Sequence, residues 1–390
     1  MAKQVVLAYS GGLDTAFCVK FLTEDLGYEV HTVLVNTGAF STEELGKLTE
    51  KAYSLGAKNH ENLDITEKYY SQCVRYLIFG NILRNKTYPM SVSSERTFQA
   101  LAVAEYAQRR GIQTIAHGST GAGNDQVRFD MVFRIIAPEA TIIAPIRDLK
   151  LTRQYEKEYL TGKGIEIKAD THKYSINKGL WGTSVGGKET LSSHSSLPEE
   201  AYPGQLEKTE NTSLTLQFHN GELLGGVDRI REISARGQTY AIGRGIHTGD
   251  TIIGIKGRVG FEAPGPMMIL QAHQVLEKHV LTKWQIYWKD QLSEWYGMML
   301  HEGFFLDPVM RNIEKFLEDS QRNVTGKVFL TLRPYCFEVT GIESEFDLLS
   351  ASGAKYGEEN PEWTGEDVKG FTRILSNSLK IYHTVNKSDS

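Results

Sequence analysis

A glycine pair between an apolar strand and a helix constrains the fold of this chain more than any other feature. Residues 10–15, Ser-Gly-Gly-Leu-Asp-Thr, follow the apolar run 5–9 and precede the helix-like run 16–22. A strand, a glycine turn and a helix together form a phosphate-binding geometry. Glycine lets an anion approach the backbone, and the N–H groups and positive dipole end of the helix face that anion. No Gly-Lys-Ser/Thr follows, which excludes the Walker loop.

Asp14 adds charge to this loop. A carboxylate beside a polyphosphate repels it unless a divalent cation bridges the two, so the loop predicts Mg²⁺ bound at Asp14. The segment resembles the pyrophosphate loop of ATP pyrophosphatases, which split ATP between its α and β phosphates. An ordinary strand-to-helix turn is the alternative, because Asp and Thr often start helices. The position after the first strand favours phosphate binding, since nucleotide-binding folds place their phosphate turn there.

The bulk composition indicates a soluble protein of two or three domains. The 390 residues are 40% hydrophobic and 23% charged, with a net charge of −5. This mild acidity argues against a general nucleic-acid or membrane surface. Residues 1–4 run directly into the first strand, which leaves no room for a signal peptide. Cys18, Cys73 and Cys336 form neither a disulfide framework nor a CxxC site, and we expect Cys18 and Cys336 to be buried. A cytoplasmic location is therefore expected.

Strands and helices alternate in the first part of the chain, which is typical of a doubly wound parallel sheet with helices on both faces. The predicted strands are 5–9, 30–35, 59–65, 113–116 and 140–144, and the predicted helices are 13–25, 42–55, 67–85, 95–110 and 151–162. Ligands of such sheets lie beyond the carboxyl ends of the strands. Gly11, Asn36, Gly118 and Pro145 all follow predicted strands, so the sequence predicts a site at this edge.

The pattern changes near residue 173. Residues 173–204 are rich in Gly, Ser, Thr and Pro. We expect a loop that wraps a substrate rather than a disordered linker, because Tyr174, Trp181 and Tyr202 are unusual in a free linker. Beyond it, an Asn-Gly hairpin within 214–223, strands at 251–255 and 327–342, and helices at 266–281 and 281–301 indicate an α+β region. Residues 365–385 form a predicted amphipathic helix.

A second glycine-rich loop lies within residues 116–129, and it also follows a predicted strand and opens a predicted helix. Three glycines within six positions let the backbone approach a ligand. Asn124 and Asp125 stand where a helix cap is expected, and Arg128 alone would be an ordinary surface cation. Asp125 and Arg128 are three residues apart and share a helix face. Together they could hold the ammonium of one amino acid and the carboxylate of another.

These two motifs together resemble the argininosuccinate synthase family. The first loop is shared by many ATP pyrophosphatases, whereas His-Gly-x-Thr-Gly-x-Gly-Asn-Asp-Gln at 117–126 is far more specific. The resemblance continues at Tyr88-x4-Ser93-x2-Arg96, at Ser175-x8-Ser184 and at 253–258, and it covers nearly the whole chain. It implies a nucleotide-binding domain, a synthetase domain and a C-terminal helix used in homotetramer assembly, expected at residues 1–165, 166–360 and 361–390.

The resemblance also implies a reaction and its residues. The family joins citrulline and aspartate with ATP through a citrullyl-adenylate, releasing AMP and pyrophosphate, in arginine biosynthesis. The implied ATP contacts are Ala8, Tyr9, Ser10, Gly11, Gly12, Leu13, Asp14, Thr15, Ala16, Val35 and Gly118, and the catalytic candidates among them are Ser10, Asp14 and Thr15. The implied aspartate contacts are Thr120, Asn124 and Asp125. The implied citrulline contacts are Tyr88, Ser93, Asn124, Arg128, Ser175 and Ser184.

One stretch departs from the family's pattern. The family has a Glu and, twelve residues later, a Tyr in its citrulline pocket, and alignment places Gly249 and Phe261 at these positions. One explanation is that His247 or Asp250 replaces the lost carboxylate, or that the alignment slips by one residue. The other is that the acceptor is an N-acylated citrulline, such as N-succinylcitrulline. In that case the acyl group would meet nearby cations, at Arg244, His247, Lys256 and Arg258.

Other functions are alternatives at this stage. A tRNA-thiolating ATP pyrophosphatase should carry a basic face and paired catalytic cysteines, and the sequence has neither. NAD synthetase and GMP synthetase share the first loop but not the Gly-Asn-Asp-Gln of the second. A non-catalytic nucleotide sensor of the same fold would bind ATP without forming AMP.

Overall fold

A computed structural model describes residues 3–165, 173–353, 357 and 361–386. The chain divides into two compact units, Met1–Glu345 and Phe346–Ser390. The first part of the larger unit contains strands β1 (Lys3–Ala8), β2 (Tyr28–Asn36), β3 (Asn59–Asp64), β4 (Thr114–His117) and β5 (Thr141–Ile143). Its helices are α1 (Leu13–Lys20, extended by a wider turn over Phe21–Asp25), α2 (Thr42–Ser54), α3 (Thr66–Tyr69), α4 (Arg75–Phe79, joined to α3 through Tyr70–Val74), α5 (Ser91–Arg110), α6 (Asp125–Ile136), α7 (Pro145–Asp148) and α8 (Arg153–Gly162).

These five strands form a parallel sheet in the order β3-β2-β1-β4-β5. The order reverses between β1 and β4, so the loops after these two strands lie side by side at the carboxyl edge. Ala8 and His117, the last residues of β1 and β4, are paired in the register. Leu7 and Phe17 are fully buried in the core that joins β1 to α1. The predicted doubly wound sheet is confirmed.

Several helix ends differ from the prediction for local reasons. Ser41 caps α2 immediately before the predicted start, since its side chain accepts from the N–H of Glu44 while the Glu44 carboxylate accepts from the N–H of Ser41. Helix α5 begins four residues earlier than predicted, directly after Met90, which has a left-handed φ of 62°. Helix α4 ends before Gly80, where the prediction continued to residue 85.

The rest of the larger unit is α+β, as predicted. Its strands are β6 (Ser175–Gly179), β7 (Gly182–Gly186), β8 (Thr212–His219), β9 (Glu222–Leu223), β10 (Arg244–Asp250), β11 (Lys256–Glu262), β12 (Gly326–Arg333) and β13 (Cys336–Glu343). Its longer helices are α9 (Gly226–Gln238), α10 (Pro264–Val280), α11 (Lys283–Glu302) and α12 (Pro308–Ser320). The strands form two antiparallel sheets, in the orders β10-β11-β7-β6 and β13-β12-β8-β9.

Two segments of this region differ from the prediction. The expected wrapping loop at 173–204 contains the β6–β7 hairpin, which pairs with β11, and Trp181 in its turn is fully buried. The expected strand at 251–255 is instead the turn between β10 and β11, with Gly254 at a φ of +81°. The predicted Asn-Gly hairpin is confirmed, since Asn220 and Gly221 both have positive φ between β8 and β9.

Two of the three cysteines, Cys18 and Cys336, were expected to be buried. All three cysteines are described, and all are free. Cys18 is buried as predicted, whereas the prediction for Cys336 is wrong, because that residue begins β13 at the edge of its sheet and is exposed. Among the described residues, no helix combines the length and the apolar character needed to cross a membrane.

The smaller unit contains α13 (Leu348–Ala351), α14 (Gly365–Leu375) and α15 (Asn377–Val385). The single helix predicted for 365–385 is therefore two helices, separated at Ser376. Large apolar side chains of α14 and α15 are exposed, namely Val368, Phe371, Ile374, Leu375, Leu379, Ile381, Tyr382 and Val385. In the part of this unit that the structure describes, no residue of the three helices is buried.

Candidate active site

Both glycine loops open into one cavity of about 1070 Å³. The ends of β1, β2 and β4 form part of its wall, at the predicted edge of the parallel sheet. Helix α5 and the antiparallel strands β6, β7, β10 and β11 contribute further lining residues. The site is therefore built between the parallel sheet and one antiparallel sheet of the same compact unit.

The first loop is shaped largely by its own residues. Gly11 has a φ of +75°, and a Cβ atom there would lie 2.2 Å from Cδ2 of Leu48, so any other residue would strain the backbone and displace the Leu48 side chain. The Nζ of Lys51 donates to the Gly11 carbonyl oxygen at 2.8 Å. The hydroxyl oxygens of Ser10 and Thr15 lie 3.2 Å apart. Among the described residues no side chain caps the start of α1, which leaves N–H groups there for an anion.

Asp14 lines the cavity in the first turn of α1. Its carboxyl group lies close to that of Glu156 on α8, a residue that is 1% exposed. Burial, and then the neighbouring Asp14, raise the pKa of the Glu156 carboxyl to about 7. Oε2 of Glu156 has no hydrogen-bond partner among the described residues. The sequence analysis missed Glu156, because only the tertiary fold brings α8 beside the loop.

The second loop is held by a side chain of its own helix and by a hydrogen bond from the turn between β10 and β11 to the loop's own Asn124. Gln126, in the first turn of α6, donates through Nε2 to the carbonyl oxygens of Gly121 and Gly123. Asn124 is the N-cap residue of α6, as its position predicted, but its side chain makes no capping hydrogen bond. Its Oδ1 instead accepts from the N–H of Ile252 at 2.9 Å, which ties the loop to the turn between β10 and β11.

An ion cluster lies where α6 begins. Asp125 and Arg128 share a helix face as predicted, with 2.8 Å between Asp125 Oδ1 and Arg128 Nη1. Arg96 of α5 completes the cluster, with its Nε 3.0 Å from Asp125 Oδ2. Burial acts to raise the pKa of Asp125, but Arg96 and Arg128 outweigh it and hold that pKa below its ordinary value. Arg128 is further fixed by a hydrogen bond from its Nε to the His301 carbonyl oxygen at 2.9 Å.

A group of hydroxyls forms another part of the wall. The Tyr88 hydroxyl lies 3.0 Å from Ser91 Oγ and 3.3 Å from Ser184 Oγ. Tyr88 and Ser184 line the cavity together with Ser93 and Ser175. These residues come from α5, from the segment before it and from the β6–β7 hairpin. The fold therefore brings together the hydroxyl residues that the sequence analysis grouped on resemblance alone.

The comparisons with known proteins cover the chain in two parts. Residues 4–166 match the family model of the arginosuccinate synthase N-terminal HUP domain, and residues 174–382 match that of the arginosuccinate synthase C-terminal domain. An argininosuccinate synthase of Xanthomonas campestris is 36% identical over 99% of this chain and 100% of its own length. One of Methanocaldococcus jannaschii is 37% identical over 98% of both chains.

The chain belongs to the argininosuccinate synthase family. The family resemblance proposed from the two glycine loops is confirmed, and so is the mixed α/β fold. None of these comparisons favours an N-acylated acceptor or a non-catalytic sensor.

Little free space remains around Gly249, where the sequence departs from the pattern of other argininosuccinate synthases. A Cβ atom at Gly249 would lie 2.6 Å from Nε2 of His247 and 3.2 Å from Nδ2 of Asn85. The His247 ring therefore occupies the space beside Gly249, and it stacks on Tyr88 with 5.3 Å between ring centroids. Burial, and then the charge of Arg84, lower the pKa of His247, which favours a neutral ring.

Phe261 and the four nearby cations have different surroundings. The Phe261 ring is buried and packs 5.7 Å from the Tyr88 ring, between centroids. Arg258 lines the cavity, but its guanidinium donates to two backbone carbonyl oxygens. Arg244 is ion-paired with buried Glu262 outside the cavity wall, and Lys256 Nζ lies 2.6 Å from Asp250 Oδ1. Of the four cations that an acyl group was expected to meet, His247 and Arg258 line the cavity.

Glu95 is an ionisable residue in the cavity wall that the sequence analysis did not identify. It is 1% exposed, and its Oε2 accepts from the Thr37 hydroxyl at 2.8 Å. Its Oε1 has no hydrogen-bond partner among the described residues and lies 1.6 Å from where a Cβ atom at Gly179 would stand. Gly179 is therefore the residue that makes room for this carboxyl. Burial raises the pKa of Glu95 to about 8, so the carboxyl is mainly protonated at neutral pH.

The structure places nearly all site residues implied by the resemblance in the cavity wall. The exceptions are Gly11, which stands between two lining residues, and Ala16, which follows the lining residue Thr15. The lining also includes residues that carried no motif signal, among them Thr37, Glu95, Arg153, Lys178 and His301. Arg96 and His117 also line the cavity. Both belong to sequence motifs described above, and those motifs were the signal that could have identified them as site residues.

Proposed function

We propose that this protein is an argininosuccinate synthase, which joins citrulline and aspartate with ATP and releases AMP and pyrophosphate. The observation that carries the proposal is the convergence of two glycine loops and a hydroxyl-lined wall on one cavity, in a chain matched along nearly its whole length by this family. A ligase that assembles three substrates requires such a shared space, because their reacting atoms must meet.

ATP binds at the first loop in this proposal. The N–H groups at the start of α1 face the phosphates, Val35 lies near the adenine, and Gly118 of the second loop contacts the ribose or the phosphates. Ser10, Asp14 and Thr15 act on the reacting phosphates. Mg²⁺ commonly uses one or two carboxylates and takes its other ligands from phosphates and water, so the Asp14 carboxyl in the cavity wall fits this ion. Bound there, Mg²⁺ would neutralise phosphate charge.

The amino acids bind between the second loop and the hydroxyl-lined wall. Thr120, Asn124 and Asp125 contact aspartate, and the Asp125 carboxylate, kept ionised by Arg96 and Arg128, attracts an ammonium group. The citrulline contacts are Tyr88, Ser93, Asn124, Arg128, Ser175 and Ser184, all in the cavity wall. The hydroxyl, amide and guanidinium groups of these residues can hydrogen-bond to the carboxylate and ureido groups of citrulline.

The chemistry explains why ATP is consumed. A ureido group is unreactive because its leaving group is poor. Attack of the ureido oxygen on the α-phosphate forms a citrullyl-adenylate and releases pyrophosphate, and the aspartate amine then displaces AMP. The protein contributes orientation and charge neutralisation, which together can supply several kcal/mol or more. The mechanism requires no covalent bond to a side chain.

The test is release of pyrophosphate from ATP with each amino acid present alone or together. We expect release that depends on citrulline, and argininosuccinate formation that also requires aspartate. ATP binding without pyrophosphate release would support a sensor instead. Faster turnover of N-succinylcitrulline than of citrulline would overturn the free amino acid as the acceptor, while leaving the ligase chemistry intact.

The proposed function also carries expectations for the oligomeric state, the domain boundaries and the cellular location of the protein. We propose a homotetramer, with domain boundaries near residues 165 and 360, and a cytoplasmic enzyme. The exposed apolar side chains of α14 and α15, including Phe371 and Leu379, support assembly, because an unpartnered apolar face is costly in water. Light scattering of the wild type and of Phe371→Asp tests it: a tetramer that dissociates in the variant supports the role of α14, and a monomeric wild type refutes it.

A further inference from the structure

His117 is a buried histidine at the junction of the parallel sheet and the second glycine loop. It is the last residue of β4, it is 1% exposed, and it lies beside Ala8 of β1 in the sheet register. Both of its ring nitrogens are engaged. The N–H of Ser119 reaches its Nδ1 at 3.2 Å, and its Nε2 lies 2.8 Å from Oδ1 of Asp130 on α6.

These two contacts define the tautomer of the His117 ring. A backbone N–H can only donate, so Nδ1 must be the unprotonated nitrogen that accepts from Ser119. Nε2 then carries the hydrogen and donates it to the Asp130 carboxylate. Asp130 is itself held by Arg147, whose Nη1 lies 2.9 Å from its second oxygen. The ring is further packed against Phe129, with 5.6 Å between ring centroids.

The contact between His117 and Ser119 matters because of where Ser119 lies in the second loop. Ser119 stands between Gly118 and Thr120, which the proposed function assigns to ATP and to aspartate. The ring of His117 therefore ties the peptide between two substrate contacts to α6 through Asp130. A displacement of this peptide would move both contacts together, whereas the hydroxyl-lined wall belongs to other elements.

We propose that His117 is a positioning residue whose ring, through Ser119, sets the geometry of the second loop for ATP and aspartate jointly. This inference rests on the proposed function for the substrates it names. The contacts that define the ring's tautomer do not depend on that function.

Two substitutions separate the two contacts of the ring. His117→Gln can place an amide N–H near the position of Nε2 and keep the bond to Asp130, but it removes the acceptor for Ser119. His117→Asn can keep an acceptor near the position of Nδ1 and removes the donor to Asp130. We expect His117→Gln to raise KM for ATP and for aspartate about tenfold, the worth of one hydrogen bond to a fixed peptide. We expect KM for citrulline to change less than about twofold.

The smaller effect belongs to His117→Asn, for which we expect increases of about threefold in the same two constants. His219→Gln is the control, because His219 is exposed on β8 and lies outside the cavity wall; its constants should match the wild type. Equal increases in all three KM values for His117→Gln, or no increase in any, would overturn the positioning role.

A spectroscopic measurement tests the geometry without turnover. In protein labelled with ¹⁵N-histidine, the resonances lost in His117→Gln identify His117, and we expect an unprotonated Nδ1 and a protonated Nε2. Protonation at Nδ1 would refute the inference. Calorimetric titration with ATP alone gives a further readout, in which His117→Gln should bind about tenfold more weakly. If the tautomer and ATP affinity agree but the protein forms no argininosuccinate, the proposed function fails and the role of His117 in ATP binding stands.

Discussion

The two glycine loops lie side by side at one sheet edge, yet they are held in different ways. Within the first loop the hydroxyls of Ser10 and Thr15 lie close to each other, and one cation from α2 binds its backbone. The second loop is held by contacts with other elements and with buried His117: His117 bonds to Ser119, Asn124 to the β10–β11 turn, and Asp125 to two arginines. The first loop is thus a largely local structure, whereas the second depends on tertiary contacts.

The two loops are therefore suited to different substrates. A local loop suits ATP, because phosphates are recognised by backbone N–H groups that glycine and a helix start supply. A loop tied to α5 and to the β10–β11 turn suits the meeting of two amino acids, because its contacts must keep a defined relation to the far wall. Changes in the first loop should therefore affect ATP alone, and changes in the second should affect several substrates or the fold itself.

The largest effect is expected for Gly11→Ala. The new Cβ atom would clash with Leu48 and would force alanine into a φ of +75°. Misplacement of the loop by about 1 Å should lower kcat/KM for ATP more than about a hundredfold. Steady-state kinetics measures this, with Gly46→Ala as the matched control, because Gly46 on α2 has open space around its Cβ position. Similar values for the two variants would show that the first loop does not bind ATP.

Asp125→Asn should come next, with KM for aspartate raised about thirtyfold to a hundredfold. The substitution removes the charge that attracts an ammonium and leaves Arg96 and Arg128 without their carboxylate, so stability should also fall by about 1–3 kcal/mol. Asp14→Asn should instead raise KM for Mg-ATP. Substrate kinetics and thermal denaturation of both variants test the contrast, and equal effects on both substrates would contradict these roles.

Glu95→Gln should change how stability depends on pH. The folded protein keeps the Glu95 proton up to about pH 8, whereas the unfolded chain loses it near 4.5. Folding therefore binds a proton in this window, and wild-type stability falls as pH rises through it. The variant lacks this contribution, so its stability relative to wild type should rise by about 3–4 kcal/mol between pH 5 and pH 8. Urea unfolding at both pH values measures the difference, and a constant difference would refute the raised pKa.

The smallest effect is expected for Lys51→Met. It removes one charged donor from the Gly11 carbonyl, worth about 1 kcal/mol, so KM for ATP should rise about fivefold while KM for aspartate stays unchanged. Lys47→Met is the control, since Lys47 stands one turn earlier on α2 and its ion pair is with the exposed Glu43 rather than with the loop. A rise in KM for aspartate in Lys51→Met would mean that the two loops are not independently held.

The sequence predicted the fold well where the signal is local. The strand–glycine–helix pattern identified β1, the first loop and α1, and the alternation of elements identified the parallel sheet. Prediction was wrong for residues 251–255, which form a turn, and it missed the β6–β7 hairpin within residues 173–204, because a composition rich in glycine is shared by loops and by tight hairpins. The contact between Asn124 and Ile252 was not predicted, since the two residues are 128 apart in the chain.

By itself, the sequence determined the family, the carboxyl-edge site and the residues of both glycine loops, because each depends on residue types at short spacing. Only the tertiary structure decided which charges meet in the cavity. Glu156 reaches Asp14, Arg96 reaches Asp125, and Glu95 is buried against Gly179, all through contacts between separate elements. The physical reason is that burial and the charge of a neighbour set the state of an ionisable group, and both are properties of the packed chain.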